Sequence, residues 1–206
     1  MIENFSVCND YDTWVLKLSG GADSALILYY LQKIRKNQEF WILTGCNKYD
    51  EIYSDQARDV IRYLNVNNIY HILYPQNHKT GTEKNKADYD FYMKFVSNVD
   101  LEKTIFIQGR TKNPPVTFKT GLRPTIRDLN EDESIFKKES WGIYTGNVLR
   151  PWINTNKRKI VELYKKENLM DLFNITRSCV SPKVDICGEC FWCMERNWAV
   201  NEINNE

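Results

Sequence analysis

No apolar run in this chain approaches the roughly 18 residues that a membrane-spanning helix requires. The start, Met1-Ile2-Glu3-Asn4, also lacks the basic and apolar regions of a secretory signal. A cytoplasmic protein with no membrane partner is the expectation. Neither sign of charge is in excess: 28 Lys+Arg against 27 Asp+Glu leave a formal net charge of +1. Without a strong global field, any polyanion has to bind at a local site. Internal repeats and low-complexity tracts are missing, which excludes solenoids and biased linkers. Histidine is scarce, and neither His71, in a predicted strand, nor His78, in the loop after it, has a paired carboxylate or metal partner in view. Both read as structural.

What is present suits one buried core. A chain of 206 residues with 42% hydrophobic content can bury one such core but hardly a second, so one domain over 1–206 is expected. The run Trp14-Val15-Leu16-Lys17-Leu18 is strand-like and stops at Ser19-Gly20-Gly21. From Asp23 to Arg35, Ile27, Leu28, Leu31 and Ile34 then recur at helical spacing. The cycle repeats with a strand over Phe40 to Leu43 and a helix carrying Ala57, Val60, Ile61 and Leu64. A third strand over Ile69 to Tyr74, a helix over Ala87 to Val99 and a strand over Thr104 to Gln108 follow. Such alternation predicts an α/β fold with a doubly wound parallel sheet, whose ligands sit at the carboxyl ends of the strands. Arg110 to Ser140, with Pro114-Pro115, Thr120-Gly121 and Pro124, shows no sustained period and reads as a long loop or irregular insertion. A helix from about Lys157 to Glu167 and a final helix carrying Trp192, Trp198 and Val200 complete the pattern.

Ser19-Gly20-Gly21-Ala22-Asp23-Ser24 joins the first strand to the first helix. Glycines there permit a sharp turn, and backbone N–H groups at a helix start form an anion cradle suited to phosphate. Ser19 and Ser24 can add hydroxyl donors, and Asp23 can hold Mg²⁺ or orient a donor. The plainer reading is an ordinary turn in which Ser or Asp caps the helix. The hexad lacks the G-K-[ST] of a Walker loop. It resembles the S-G-G-x-D-S signature of the PP-loop ATP pyrophosphatases, which include tRNA-thiolating enzymes, NAD synthetases, asparagine synthetases and 7-cyano-7-deazaguanine synthases. That resemblance implies a Rossmann-like nucleotide-hydrolase fold. It also implies that the turn holds the pyrophosphate of ATP and leaves the α-phosphorus open to a substrate oxygen, so that AMP is transferred first and then displaced. Ala22 stands where that family often has a larger residue.

Four of the six cysteines crowd the last thirty residues as C-x7-C-x2-C-x2-C: Cys179, Cys187, Cys190 and Cys193, with Gly188 allowing a tight bend. In a reducing compartment this favours a metal over disulfides, and four thiolates describe a structural Zn²⁺ site. An iron–sulfur cluster and plain thiols are the alternatives. Cys8 and Cys46 stand alone. The glycine turn together with Ser178-Cys179, Cys187-Gly188-Glu189-Cys190 and Cys193-Met194-Glu195-Arg196 resembles the 7-cyano-7-deazaguanine synthase branch, which makes a nitrile in queuosine biosynthesis. Arg150-Pro151-Trp152 followed by Asn156-Lys157-Arg158-Lys159-Ile160-Val161 is a further similarity. Lys157, near a predicted helix start, either reaches an ATP phosphate or is a solvated lysine. The middle of the chain departs: Lys84-Asn85 only loosely matches the branch's Arg-Asn element, and nothing after Gly109 matches its substrate stretch.

That branch would make the chain a C–N bond-forming ligase that takes a 7-deazaguanine carboxylate, ammonia and ATP with Mg²⁺ to an amide or nitrile. Gly109 and Arg110, at the end of a strand, would complete the phosphate site, and Arg123 and Arg127 are candidates for a carboxylate or phosphate. Two rivals stay open: a tRNA-modifying, thiolating enzyme and a nucleotide-binding module without turnover. Thiolation commonly needs a reactive cysteine pair, which Cys8 and Cys46 do not form. Nucleic acid as a partner through Lys157-Arg158-Lys159, and a homodimer, are possible.

Overall fold

Side chains along a strand point alternately to opposite faces of a sheet, so a strand buried on both sides must be apolar at every position. Trp14, Val15 and Leu16 meet that condition, and so do Ile105, Phe106 and Ile107; none is more than 3% exposed. We describe a computed structural model of the chain. It covers residues 2–46, 52–75, 91, 94, 95, 97–114, 134–139, 146–179 and 186–205. The six strands are β1 (Thr13–Lys17), β2 (Glu39–Cys46), β3 (Tyr70–Pro75), β4 (Thr104–Gln108), β5 (Phe136–Glu139) and β6 (Gly146–Leu149). They form one sheet in the order β3-β2-β1-β4-β6-β5.

The pairs β1/β2, β1/β4, β2/β3 and β4/β6 are parallel, with Lys17 opposite both Leu43 and Gln108 at the strand ends. The chain winds outward from β1 to β3 and then returns to place β4 on the other side of β1. The reversal leaves a crevice beyond the carboxyl ends of β1 and β4, where open α/β sheets take their ligands. The expected parallel sheet thus holds, with one difference: β5 pairs antiparallel with β6.

Five α-helices lie among the described residues: α1 (Ala22–Ile34), α2 (Ile52–Tyr63), α3 (Lys157–Lys166), α4 (Met170–Ile175) and α5 (Phe191–Asn204). A 3-10 helix over Ile2–Asp10 precedes β1. Trp14, Leu16, Ile42, Ile105, Ile107 and Leu149 form one core with helix residues such as Leu28, Val60, Ile160 and Leu172. On the opposite face Val15, Leu43, Phe106 and Val148 pack with Tyr74 and Phe95, and Phe91 lies against them. Positions 91, 94 and 95 are helical, and they are the only helical residues described of the helix expected over 87–99. Helices therefore cover both faces of the sheet. Among the described residues no helix is long and apolar enough to cross a membrane.

The stretch read as one long loop contains a strand. Phe136–Glu139 forms β5 at the sheet edge, although Lys137-Lys138 gives it no apolar alternation. An edge strand needs only one hydrogen-bonded neighbour and tolerates charge. β6 and α4, at four and six residues, are too short to print a period in the sequence.

α3 begins at Asn156, whose side chain accepts from the Lys159 N–H, and gives way to Asn168 at φ +56°, a left-handed stop. Its last turn is tied to α1 by Glu167, which accepts from Lys33 Nζ at 2.7 Å, Tyr29 Oη at 2.8 Å and Tyr30 Oη at 3.2 Å. The Lys33 hydrogen bond, then that of Tyr29, holds the Glu167 carboxyl below its ordinary range. A depressed carboxylate stabilises the fold above its unfolded value of about 4.3 and loses that contribution as pH falls through the folded value. Glu167→Gln should cost about 1–3 kcal/mol at pH 7. The difference from the parent should shrink in acid, as measured by urea unfolding across pH; a pH-independent difference would contradict this role.

Candidate functional site

Gly20 sits at φ +75°, a conformation that side chains rarely adopt, and a Cβ there would lie 2.7 Å from Gln56 Cβ of α2. Only glycine lets the chain turn from β1 into α1 beneath that helix. Gly21 is the N-cap of α1 and brings no side-chain cap, so the N–H groups of the first turn lack an intrahelical acceptor, as at any helix start, and could serve an external anion.

The serines close the turn on itself. Ser24 Oγ donates to the Gly21 carbonyl at 3.1 Å, the Ser19 N–H donates to Ser24 Oγ at 3.3 Å, and the two hydroxyls lie 3.3 Å apart. Ser24 is buried and Ser19 exposed. In this geometry Ser24 shapes the cradle, while Ser19 stands at its rim.

Across the crevice, the end of β4 closes on the same turn. A Cβ on Gly109 would lie 3.0 Å from the Ser24 amide nitrogen and 3.1 Å from Asp23 Cβ. Gly109 thus lets two backbones approach where any side chain would push them apart. Arg110 follows, half-buried. The chain then runs toward residues 152–155, where the Lys112 N–H donates to the Thr155 carbonyl at 2.9 Å.

Lys157 is not a solvated lysine. Its side chain is 4% exposed, and Nζ donates to both Asp23 oxygens at 2.6 and 2.5 Å. The pair sits at the N-terminus of α1, where the partial positive charge of the helix also favours the carboxylate. Two further side chains, which sequence reasoning missed, grip this first turn. Trp152 Nε1 donates to the Asp23 carbonyl at 3.1 Å, and the Tyr164 hydroxyl donates to the Ala22 carbonyl at 2.7 Å. Burial, and then the charge of Asp23, raises the Tyr164 hydroxyl well above its usual range, so it stays a donor. The signal available for Tyr164 was its place on the buried face of α3, which marks packing and not a polar role.

Arg150 is also buried, and its Nε donates to Gln108 Oε1 at 3.3 Å beside this crevice. His71 is structural, as its lack of partners in the sequence implied. Thr44 gives its hydroxyl proton to the Leu18 carbonyl at 2.9 Å, so His71 Nε2, 2.9 Å from that oxygen, must be the donor. Burial, then Arg58, lowers the His71 ring and keeps it neutral. Lys84, Asn85, His78, Arg123 and Arg127 lie outside the described residues.

The cysteines converge as their spacing predicts. The sulfurs of Cys179, Cys187, Cys190 and Cys193 all lie within 4.8 Å of one another. Cys187 Sγ is 3.5 Å from that of Cys179 and 4.0 Å from that of Cys193. A tetrahedral ion with metal–sulfur bonds of about 2.3 Å holds its sulfurs roughly 3.8 Å apart, so the donor set fits a single ion. The Cys187 N–H points to Cys179 Sγ and the Cys190 N–H to Cys187 Sγ, contacts that favour thiolates. Gly188 makes the bend at φ +74°, and Cys190 is the N-cap of α5. Burial pushes the Cys193 thiol up to about 12, so a central cation is what would deprotonate it.

Cys8 stands apart. Burial, then Asp10, pushes its thiol up to about 12, and the side chain is fully enclosed. Cys8 should resist iodoacetamide at pH 8 in the native protein and react only on unfolding, as peptide mass mapping would show; rapid native labelling would contradict the enclosure.

No protein-family model and no curated protein sequence matches the chain. Solved structures do match in fold. The NMN synthetase from Francisella tularensis superimposes with a TM-score of 0.54 at 15% identity, over 99% of this chain and 90% of that one. The NH3-dependent NAD synthetase from Campylobacter jejuni, in complex with the nitrate ion, gives 0.52 at 18% identity over 82% and 74%. The glutamine-dependent NAD+ synthetase from Acinetobacter baumannii, in complex with ADP, gives 0.54 at 15% identity over 98% of this chain and 42% of that longer one. At such identities the likeness establishes a shared fold.

Proposed function

We propose that the chain is an ATP-dependent ligase that splits ATP between its α- and β-phosphates, activates a substrate oxygen as an adenylate and transfers the activated group to nitrogen. The observation that carries this reading is the buried Lys157–Asp23 pair, at 2.6 and 2.5 Å, set against the uncapped start of α1. An ammonium enclosed at an open anion cradle is charge placed where a polyphosphate would lie. The match to the fold of synthetases, one of them solved with ADP, supports the same reading.

The first-turn amides of α1 and Ser19 would take the pyrophosphate portion, and Lys157 would stabilise charge as it develops on the leaving group. Gly109, by letting β4 close on Asp23 and Ser24, would keep the crevice narrow, and Arg110, the next residue, would border it. Both Asp23 oxygens are engaged by Lys157. Mg²⁺ would therefore arrive with the nucleotide, whose phosphates offer the ammonium another anion, and Asp23 is the carboxylate that would hold it. Trp152 and Tyr164 hold the first turn in place, which fixes the amide directions. In the four-cysteine site we assign zinc, which when bound pins α5 and the residues around Cys179 to the body.

For the acceptor we propose a 7-deazaguanine carboxylate with ammonia, on the resemblance of both chain ends to the nitrile-forming branch. The direct test incubates the protein with ATP, Mg²⁺, ammonia and 7-carboxy-7-deazaguanine and follows AMP and the deazapurine by mass spectrometry. AMP with the nitrile or amide is expected. Absence of substrate-dependent AMP would sink this acceptor and send the search to tRNA or another carboxylate.

A further inference from the structure

The cysteine site and the glycine turn at the start of α1 share a wall. Two residues before Cys179, the Arg177 N–H donates to the Gly20 carbonyl at 3.1 Å, and the Arg177 carbonyl lies 3.4 Å from where a Cβ on Gly21 would stand. The backbone entering the cysteine site is therefore the backbone that supports both glycines of the turn.

A second connection starts three residues beyond Cys193. Arg196 Nη1 donates to Thr176 Oγ1 at 2.8 Å and Nη2 to the Phe173 carbonyl at 2.5 Å, while its guanidinium covers the Phe173 ring at 3.7 Å. Thr176 Oγ1 in turn donates to the Phe173 carbonyl at 2.6 Å. Phe173 packs edge-on against Tyr164 with centroids 5.2 Å apart, and Tyr164 donates to the Ala22 carbonyl. Burial lowers Arg196, yet a guanidinium remains charged across the working range and keeps both donors.

We propose that Arg196 is a positioning residue that joins the four-cysteine site to the phosphate-binding turn, so that a metal held by the cysteines sets how tightly the turn holds a nucleotide. The metal fixes Cys179 and Cys193 relative to each other. Arg196 carries that constraint to Thr176 and Phe173, and the 176–178 backbone and Tyr164 deliver it to Gly20, Gly21 and Ala22. By linkage, nucleotide must then tighten the metal by the same factor that metal tightens the nucleotide.

Zinc-loaded full-length protein is compared with protein stripped by a chelator, using the non-cleavable α,β-methylene analogue of ATP as the probe. Stripping should speed hydrogen exchange at the amides of residues 20–25 and weaken analogue binding about tenfold, and the analogue should slow zinc loss to the chelator by a matching factor. Arg196→Ala should retain zinc while the effects of metal on nucleotide and of nucleotide on metal both shrink by the same factor, leaving only what the backbone from Cys179 to Arg177 transmits. Arg196→Lys should not restore them, since one ammonium cannot reproduce the fork. A residue serving stability alone would lower the melting temperature and leave the reciprocal factor intact.

Unchanged exchange and affinity on stripping of a protein that stays folded would overturn the proposal, as would full coupling in Arg196→Ala. Should stripping unfold the chain, Arg196→Ala with zinc retained decides the matter through the same exchange and affinity measurements; if that variant misfolds, Thr176→Val replaces it. Because this coupling rests on the nucleotide reading of the turn, the exchange measurement is made without analogue. Faster exchange with no analogue binding to either form would sink the nucleotide reading, and with it the reciprocal affinity factor, while leaving the link from the cysteine site to the turn standing.

Discussion

Lys157→Ala is expected to lower substrate-dependent AMP release about 100- to 1,000-fold, the cost of removing one preorganised charge from a polar catalytic site. The same change should also destabilise the fold, because Asp23 is only 16% exposed and would be left without its ammonium. Breaking a buried pair from one side typically costs about 3–5 kcal/mol, much of it from the uncompensated charge. The double variant Asp23→Ala/Lys157→Ala should then be more stable than Lys157→Ala alone and equally inactive. Thermal unfolding and an AMP assay on the single and double variants check both statements. A Lys157→Ala protein with parental turnover would remove Lys157 from the proposed chemistry, and full additivity in stability would show that the two side chains do not form one unit.

The second large effect belongs to the cysteines. Cys193→Ser is expected to abolish stoichiometric zinc binding and to lower thermal stability by more than Cys190→Ser does. Cys193 is buried in the first turn of α5, whereas Cys190 is half-exposed at the N-cap, where water can complete a coordination shell. A structural zinc contributes about 10–16 kcal/mol of binding free energy in small zinc-dependent folds, so even part of that is large beside ordinary domain stability. Elemental analysis and melting with and without a chelator provide the check. Parental protein that purifies with no metal and melts alike in both conditions would contradict the assignment. A visible absorbance band with iron in place of zinc would replace zinc by a cluster.

Both results bear on parts that were legible in the sequence to different degrees. The cysteine spacing and the glycine turn are local: each places its groups within a few residues, and backbone geometry does the rest. Strands β1 to β4 and helices α1 to α3 were legible for a related reason. Segments buried on one or two faces must repeat apolar residues at the period of their own structure, as Ile27, Leu28 and Leu31 do on α1 and Ile160, Val161 and Tyr164 on α3. β5 was not legible, because an edge strand with two lysines needs no apolar face. α4 was not, because six residues cannot display a helical period.

By itself, then, the sequence determined the α/β winding, the glycine turn from β1 into α1 and the four-sulfur donor set, since each follows from periodicity or short spacing along the chain. Only the tertiary structure decided what Lys157 does. It meets Asp23 across 134 residues, and a lysine at a helix start carries no mark that distinguishes an enclosed partner from a solvated one. Tyr164, Trp152 and Arg196 are the same case: their polar atoms find carbonyls or hydroxyls far along the chain, and that pairing exists only once α3, α4 and α5 have packed beside α1.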